Sequence, residues 1–261
     1  STGPLSINPE NGNYYFHDFP LLTNRDAVCA FDLLRQHLGI GKIHTLIGGS
    51  LGGQQVLEWA IQQPDVFERI IPIACNAYHS PWGIAFNETQ RLAIAADPTW
   101  TNDEHRAGEK GMLAARAIAM LSYRHYDGYR NRQSELSADK LDDFRAASYQ
   151  RYQGEKLVKR FNAFTYWTLS KMMDNHHVGR GRESVEAALR SIKARALVIG
   201  IDSDILFPVQ EQEYLARYIP DAGFRVINSL FGHDGFLVEF DQLNHHLQEF
   251  LNERNSIRKA I

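Results

Sequence analysis

Ser50 lies in the run Thr45-Leu-Ile-Gly-Gly-Ser50-Leu-Gly-Gly53, so Gly48-Gly49-Ser50-Leu51-Gly52 spells G-x-S-x-G. The residues before it, Ile43 to Ile47, read as a strand, and those after it, Gln54 to Gln63, read as a helix. A serine pinned between the two sits on a tight turn with its hydroxyl exposed, which is the geometry of a nucleophile. Small residues on both sides let strand and helix approach closely. The Leu51 amide, at the helix N-terminus, would point where an oxyanion forms. The same glycines would also serve a phosphate-binding turn or a plain tight turn.

A nucleophilic serine needs a base, and the base an orienting acid. On a strand-turn-helix elbow they follow in the order Ser, Asp or Glu, His. The C-terminal third supplies both in that order. Ala196 to Ile201 is a buried-strand run followed by Asp202-Ser-Asp204, and Phe224 to Asn228 is a second run followed by Phe231-Gly-His233-Asp234-Gly235. In an open parallel sheet, functional groups collect past the carboxyl ends of the strands. Asp204 is preferred as the acid because it begins the loop, whereas its rival Asp202 is closer to the strand end. With eleven histidines in the chain, a solvated loop histidine is the plain alternative for His233.

The elements that must position these residues fall into three zones. Residues 1–78 read as the first part of an α/β core carrying the elbow. Residues 1–22 form a loop rich in Pro, Gly and Asn. A helix then starts at Thr23, with Asp26 in capping-box-like spacing. Its apolar face is expected from Ala27, Phe31, Leu34 and Leu38, and Gly39 ends it. Strand 69–74 closes a β-α-β unit, and Pro72 predicts an irregularity there, since proline cannot donate to a ladder. Residues 79–191 show no convincing strand; helical patterns run over 85–95, 109–123, 140–159 and 162–174. This stretch reads as a helical insertion, rich in aromatics that mostly form its own core, serving as a lid or bearing a dimer interface. Residues 192–261 return to α/β and hold the acid and the base. The pairs His176-His177 and His245-His246 lack a metal-ligand spacing and read as surface, so no metal is expected.

Composition narrows the class. The hydrophobic fraction of 44% and charged fraction of 23% are those of an ordinary water-exposed domain, and a net charge of −3 argues against a nucleic-acid partner. Two cysteines, Cys29 and Cys75, are too few for a disulfide framework and fit a reducing, cytoplasmic setting. No apolar run approaches the ~18 residues of a membrane span, and STGPLSINPENG has neither the basic nor the apolar region of a signal peptide.

Several longer stretches carry a resemblance: STGPLSINPENG, IGGSLGGQQVLEWA, NAYHSPWGIAFNETQRLAIAADPTW, GMLAARAIAMLSYR, YQGEKLVKRFNAFTYWTLSKMMD, DSDILFP and GHDGFL. Together they resemble the homoserine O-acetyltransferase family of the α/β-hydrolase superfamily. The fold this implies is a mostly parallel sheet with helices on both faces and a helical lid insertion. The family's N-terminal strands, with the turn that completes the oxyanion hole, are missing from this chain. The family usually has Met at the position of Leu51, a conservative difference because a backbone amide makes the contact.

The resemblance implies Ser50 as nucleophile, Asp204 as acid and His233 as base. It implies Arg116 for the homoserine carboxylate, Tyr123 two helical turns further along the same face, and Asp234 for the substrate ammonium. It also implies L-homoserine and acetyl-CoA as substrates with no bound cofactor, a ping-pong transfer in methionine biosynthesis, and a homodimer formed through the lid. Within that frame a succinyl donor or a serine acceptor stays open, as do an esterase or thioesterase and an inactive fragment or assembly partner.

Overall fold

The computed structural model describes residues 2–252. In chain order its elements are α1 (Asn24–His37), β1 (Ile43–Gly49), α2 (Leu51–Gln62), β2 (Phe67–Ile73), α3 (Pro81–Ala95), α4 (Glu109–Tyr123), α5 (Tyr126–Gln133), α6 (Arg145–Val158), α7 (Ala163–Asp174), α8 (Val185–Arg190), β3 (Arg195–Ile201), α9 (Val209–Tyr218), β4 (Ala222–Ile227) and α10 (Phe240–Asn252). They form two compact units. One comprises Leu38–Ala77 and the described residues from Val178 onward; the other comprises those up to His37 together with Tyr78–His177.

The first unit holds one parallel sheet in the order β1-β2-β3-β4. The strand runs read from the sequence recur in it, with ends displaced by one or two residues. Alternation along β3 sends its side chains to two covered faces. Leu197, Ile199 and Ile201 join Ile71, Ile73, Ile227 and Phe250 in one apolar cluster, against which Leu243 and Leu247 of α10 pack. On the opposite face Gly200 lies against Val209 and Gln212 of α9. Gly48 lies against Val56 of α2, and because it pairs with Pro72 rather than Ile71 or Ile73 it shares that face. Truncating a buried isoleucine in such a cluster typically costs about 2–5 kcal/mol.

Pro72 behaves as its chemistry demands. On the β1 side it pairs with Gly48. On the β3 side the register runs through Arg69 and Ile70 and resumes only at Ile73. The missing N–H therefore falls in a gap of the central ladder, and Ala74 follows at φ 46° with its amide on the Ile199 carbonyl at 2.8 Å.

The second unit is helical. Thr23 and Asp26 form the expected reciprocal cap on α1, the Thr23 amide donating to Asp26 at 2.8 Å. Ser80 caps α3 just before Pro81, and Asn162 caps α7 by accepting from the Thr165 amide. Ile94, Met112, Ala115, Leu157 and Ala163 make the core, with Trp100 and Trp167 packed against it. Its main buried charge is Arg91, 1% exposed, which holds Asp174 at 2.6 Å.

Several expectations need correction. Residues 2–37 belong with the helical unit, because Phe16 packs against Phe164, His17 meets Trp100 edge-on and Asn24 bonds His176. Residues 178–191 belong with the α/β unit instead. There Arg182 pairs with the buried Glu58 at 2.6 Å, and Glu186 of α8 accepts from the Tyr214 hydroxyl of α9. α1 buries Asn24, Val28 and Asp32, while Phe31, Leu34 and Leu38 are 40–60% exposed. Its inward face carries the fully buried Val28, with Asn24 bonded to His176, rather than the expected stripe. His176 is buried, not at the surface. α5 has no buried residue and so no apolar period to read, and α6 starts at Arg145 rather than Lys140.

The two outer glycines of the G-x-S-x-G run differ. A Cβ on Gly48 would fall 2.6 Å from the Gly52 carbonyl carbon, whereas one on Gly52 has open space. Gly48→Ala should therefore lower the unfolding free energy by about 1–3 kcal/mol. Gly52→Ala, inside a helix, should be neutral or stabilising by up to about 1 kcal/mol. Urea unfolding of both variants checks this; equal effects would contradict it.

Candidate active site

β1 ends at Gly49 and α2 begins at Leu51, leaving Ser50 to turn the chain alone at φ 57°, ψ −125°. A non-glycine residue there stores roughly 1–3 kcal/mol of strain and persists only where its surroundings fix it. Two hydrogen bonds do so: the Ser50 amide donates to the Ile73 carbonyl of β2 at 2.9 Å, and the Gln54 amide donates to the Ser50 carbonyl at 3.1 Å. Two nearby glycines admit no side chain. A Cβ at Gly53 would meet Cys75 Sγ at 2.7 Å, and one at Gly49 the Phe236 ring at 2.5 Å. The elbow expected from the sequence is present, with the Leu51 amide at the first turn of α2.

The acid and base segments leave β3 and β4 on the same side of the sheet, because all strands run parallel. Asp204 is 5% exposed, and its Oδ1 accepts from the amides of Leu206 and Phe207 at 2.8 and 2.9 Å. Its Oδ2 meets His233 Nδ1 at 2.6 Å, and His233 Nε2 meets Ser50 Oγ at 2.8 Å. A carboxylate only accepts, so Nδ1 carries the proton and Nε2 is left to accept from the serine hydroxyl. The Phe207 and Phe236 rings flank the 4%-exposed imidazole at 5.1 and 5.6 Å. Gly232, at φ 62°, makes the turn into it. Asp202 bonds elsewhere, accepting from the Ser229 amide at 2.9 Å, so geometry separates the two rival acids. Asp202 braces the loop that presents the histidine. Such a chain can draw the proton from Ser50 as its oxygen attacks an acyl carbon.

Asp234 follows His233 in the same short 3₁₀ turn (Gly232–Leu237), half-buried. In the helical unit Arg116 places its guanidinium 5.3 Å from the centre of the Tyr123 ring, so the expected shared helix face is real. Tyr166 joins them. Burial foremost, then the neighbouring Tyr123, push its hydroxyl far above the ordinary range, and that hydroxyl donates to Gln90. The sequence pattern marked Tyr166 only as core.

A polar chain behind the elbow was not legible in the sequence. Gln54 of α2, fully buried, donates to Asn76 Oδ1 at 3.0 Å, and Asn76 Nδ2 donates to Glu211 of α9 at 3.0 Å. Beside it Gln212 donates to the Cys75 carbonyl at 2.7 Å. Burial lifts the Glu211 carboxyl to about 7; the Asn76 bond opposes this and the Asp204 charge adds to it. Burial, with Glu211 nearby, also pushes the Cys75 thiol well above its usual value. Neither Cys29 nor Cys75 takes part in a disulfide among the described residues.

For metals, His245, His246 and Glu249 bring three donor atoms within 4.8 Å of one another on α10, a carboxylate partner that the sequence reading did not see. The contacts are those of neighbours on one helix, 3.3 Å for His245–Glu249 and 3.9 Å for His246–Glu249. Among the described residues no helix is long and apolar enough to cross a membrane.

Comparison with known proteins agrees with this geometry. The family model for the alpha/beta hydrolase fold matches residues 1–240. The homoserine O-acetyltransferase of Cyclobacterium marinum is 52% identical over 98% of this chain, which spans 72% of that protein's length. The crystal structure of homoserine O-acetyltransferase from Staphylococcus aureus superposes with a TM-score of 0.78 at 32% identity, covering 93% of this chain and 69% of that one. That of the Bacillus anthracis homoserine O-acetyltransferase reaches 0.90 at 24% identity, covering 97% and 72%, and speaks to the fold alone. On these grounds the chain belongs to the homoserine O-acetyltransferase family, built on the α/β-hydrolase fold.

Proposed function

We propose that the protein transfers an acetyl group from acetyl-CoA to the hydroxyl of L-homoserine, in two steps through an acetyl-Ser50 intermediate. The observation that carries this is the unbroken Ser50–His233–Asp204 hydrogen-bond chain at 2.8 and 2.6 Å in a chain 52% identical to a homoserine O-acetyltransferase. His233 takes the Ser50 proton as Oγ attacks the thioester carbonyl, and Asp204 steadies the imidazolium. The Leu51 amide donates to the oxyanion. The thiol of CoA leaves with a proton from His233. His233 then deprotonates the homoserine hydroxyl, which attacks the acetyl-serine, and O-acetyl-homoserine departs from a regenerated Ser50.

An amino-acid acceptor needs a fixed cation for its carboxylate and a fixed anion for its ammonium. The family resemblance gives these roles to Arg116, with Tyr123 beside it, and to Asp234. The product is a methionine precursor, so a cytoplasmic biosynthetic role follows, and the helical segment is the proposed dimer surface. The chain carries no bound cofactor in this reading, only acetyl-CoA as substrate.

Intact-mass spectrometry tests the reading. Mixing with acetyl-CoA should add one acetyl group, and adding homoserine, but not serine or water, should remove it. Loss to water alone would favour an esterase, and an adduct from succinyl-CoA instead would change the donor. Ser50→Ala should give no adduct; a labelled variant would sink the nucleophile assignment. Asp204→Asn should slow acylation by about 10⁴-fold, while Asp202→Asn should cost far less. The reverse order would exchange the two acids. Arg116→Ala should leave acylation intact and slow removal of the acetyl group by homoserine about 10- to 100-fold. An equal loss in both half-reactions would argue against a carboxylate-binding role.

A further inference from the structure

We propose that Glu211 is a positioning residue for the Ser50–His233–Asp204 chain. Through Asn76 and Gln54 it holds the serine-bearing helix against the acid-bearing segment, and its charge steadies the imidazolium that forms on His233. This rests on the reading of Ser50 as nucleophile, His233 as base and Asp204 as acid.

The geometry makes the case. Gln54 is one helical turn beyond Ser50, and its amide donates the first helical hydrogen bond to the Ser50 carbonyl. Its side chain is fully buried, an expensive place for an amide unless partnered, and its partner is Asn76 at 3.0 Å. Asn76 is 2% exposed and spends its own amide donor on Glu211 at 3.0 Å. Glu211 lies in the first turn of α9, seven residues after Asp204. Gln212, next to it, fixes the same turn to the Cys75 carbonyl. Serine helix, the segment after β2 and the acid segment are thus joined through side-chain hydrogen bonds.

The charged surroundings of Glu211 point the same way. Asp204, on the loop before α9, and Cys75, just past β2, are electrostatically coupled to it. α8 contributes Glu186 and Arg190, which are turned to Tyr214 and Tyr218 further along α9. Arg225 of β4 acts instead on His246 of α10. A carboxylate buried beside a second carboxylate ionises late, which places its titration in the neutral range. Ionised, it adds negative charge behind Asp204 and favours the imidazolium; protonated, it withdraws that help. The folded-state value lies above the ordinary 4.5, so ionisation costs stability as pH rises from there through about 7.

The test uses the whole chain, with p-nitrophenyl acetate as acyl donor, and reads the acetyl adduct by mass between about pH 5 and 9. The wild type, Glu211→Gln, Glu211→Ala and Ser50→Ala are compared. Glutamine keeps an acceptor for Asn76 but no charge. Glu211→Gln should therefore remove one ionisation from the neutral region of the pH–rate profile. Glu211→Ala, which also loses the bond, should acylate at least about tenfold more slowly than Glu211→Gln, with the half-saturating ester concentration unchanged.

In thermal melts, the advantage of Glu211→Gln over wild type should widen as pH rises. Superimposable profiles for wild type and Glu211→Gln, or wild-type acylation by Glu211→Ala, would overturn the proposal. If Glu211→Ala shows no melting transition, the Glu211→Gln profile decides. Should Ser50→Ala still acquire the adduct, or the wild type none, the triad reading itself falls. Loss of the adduct in Ser50→Ala with wild-type behaviour in both Glu211 variants would overturn only the role of Glu211.

Discussion

One steric constraint organises the α/β unit: β1 and α2 approach so closely that the backbone of Gly52 occupies the space of a side chain at Gly48. No loop of ordinary length fits between elements that close. The connection is therefore a single residue, and Ser50 takes the positive φ that joins them. Its amide is tied to β2, so the turn is anchored to the sheet as well as to the helix. Because β3 and β4 run parallel to β1, their following loops emerge on the same side and carry Asp204 and His233 to the exposed hydroxyl. The hydrogen-bonded chain is thus a consequence of strand direction plus one tight turn.

Much of this was legible in the sequence because it depends on local patterns. Apolar runs ending in Gly-Ser or Asp-Ser-Asp mark strand ends, and the order serine, acid, histidine follows from strand order. Asp204 was preferred over Asp202 from its place at the start of the loop, and the hydrogen bonds have Asp204 on His233 and Asp202 on the Ser229 amide. The inward face of α1 runs through Asn24, Val28 and Asp32, a mixed polar and apolar set that the periodicity of Phe31, Leu34 and Leu38 does not reveal. Unit boundaries were also misplaced. They follow from long-range contacts such as Arg182 with Glu58, whose partners lie more than a hundred residues apart. The Gln54–Asn76–Glu211 chain was invisible for the same reason, as no spacing rule links residues on three separate elements.

The two faces of the sheet divide their labour. The α10 side is an apolar cluster of branched aliphatics, insensitive to pH and to small changes in hydrogen bonding. The α2 and α9 side carries buried amides and a carboxylate joined by hydrogen bonds, with the Gln212 Oε1 left without a partner among the described residues. Polar groups in such a place gain little net stability, but their directionality fixes the angle at which helix and loop meet, which apolar packing does less sharply.

The backbone at Ser50 sets a conflict for any selection that rewards heat resistance alone. Glycine would occupy φ 57° there without a steric penalty, releasing conformational strain held by the present residue. A population screened only for survival at high temperature is therefore drawn toward glycine at the very position that carries the reactive hydroxyl. Retention of serine at such an angle is a mark of selection for chemistry, legible from one dihedral.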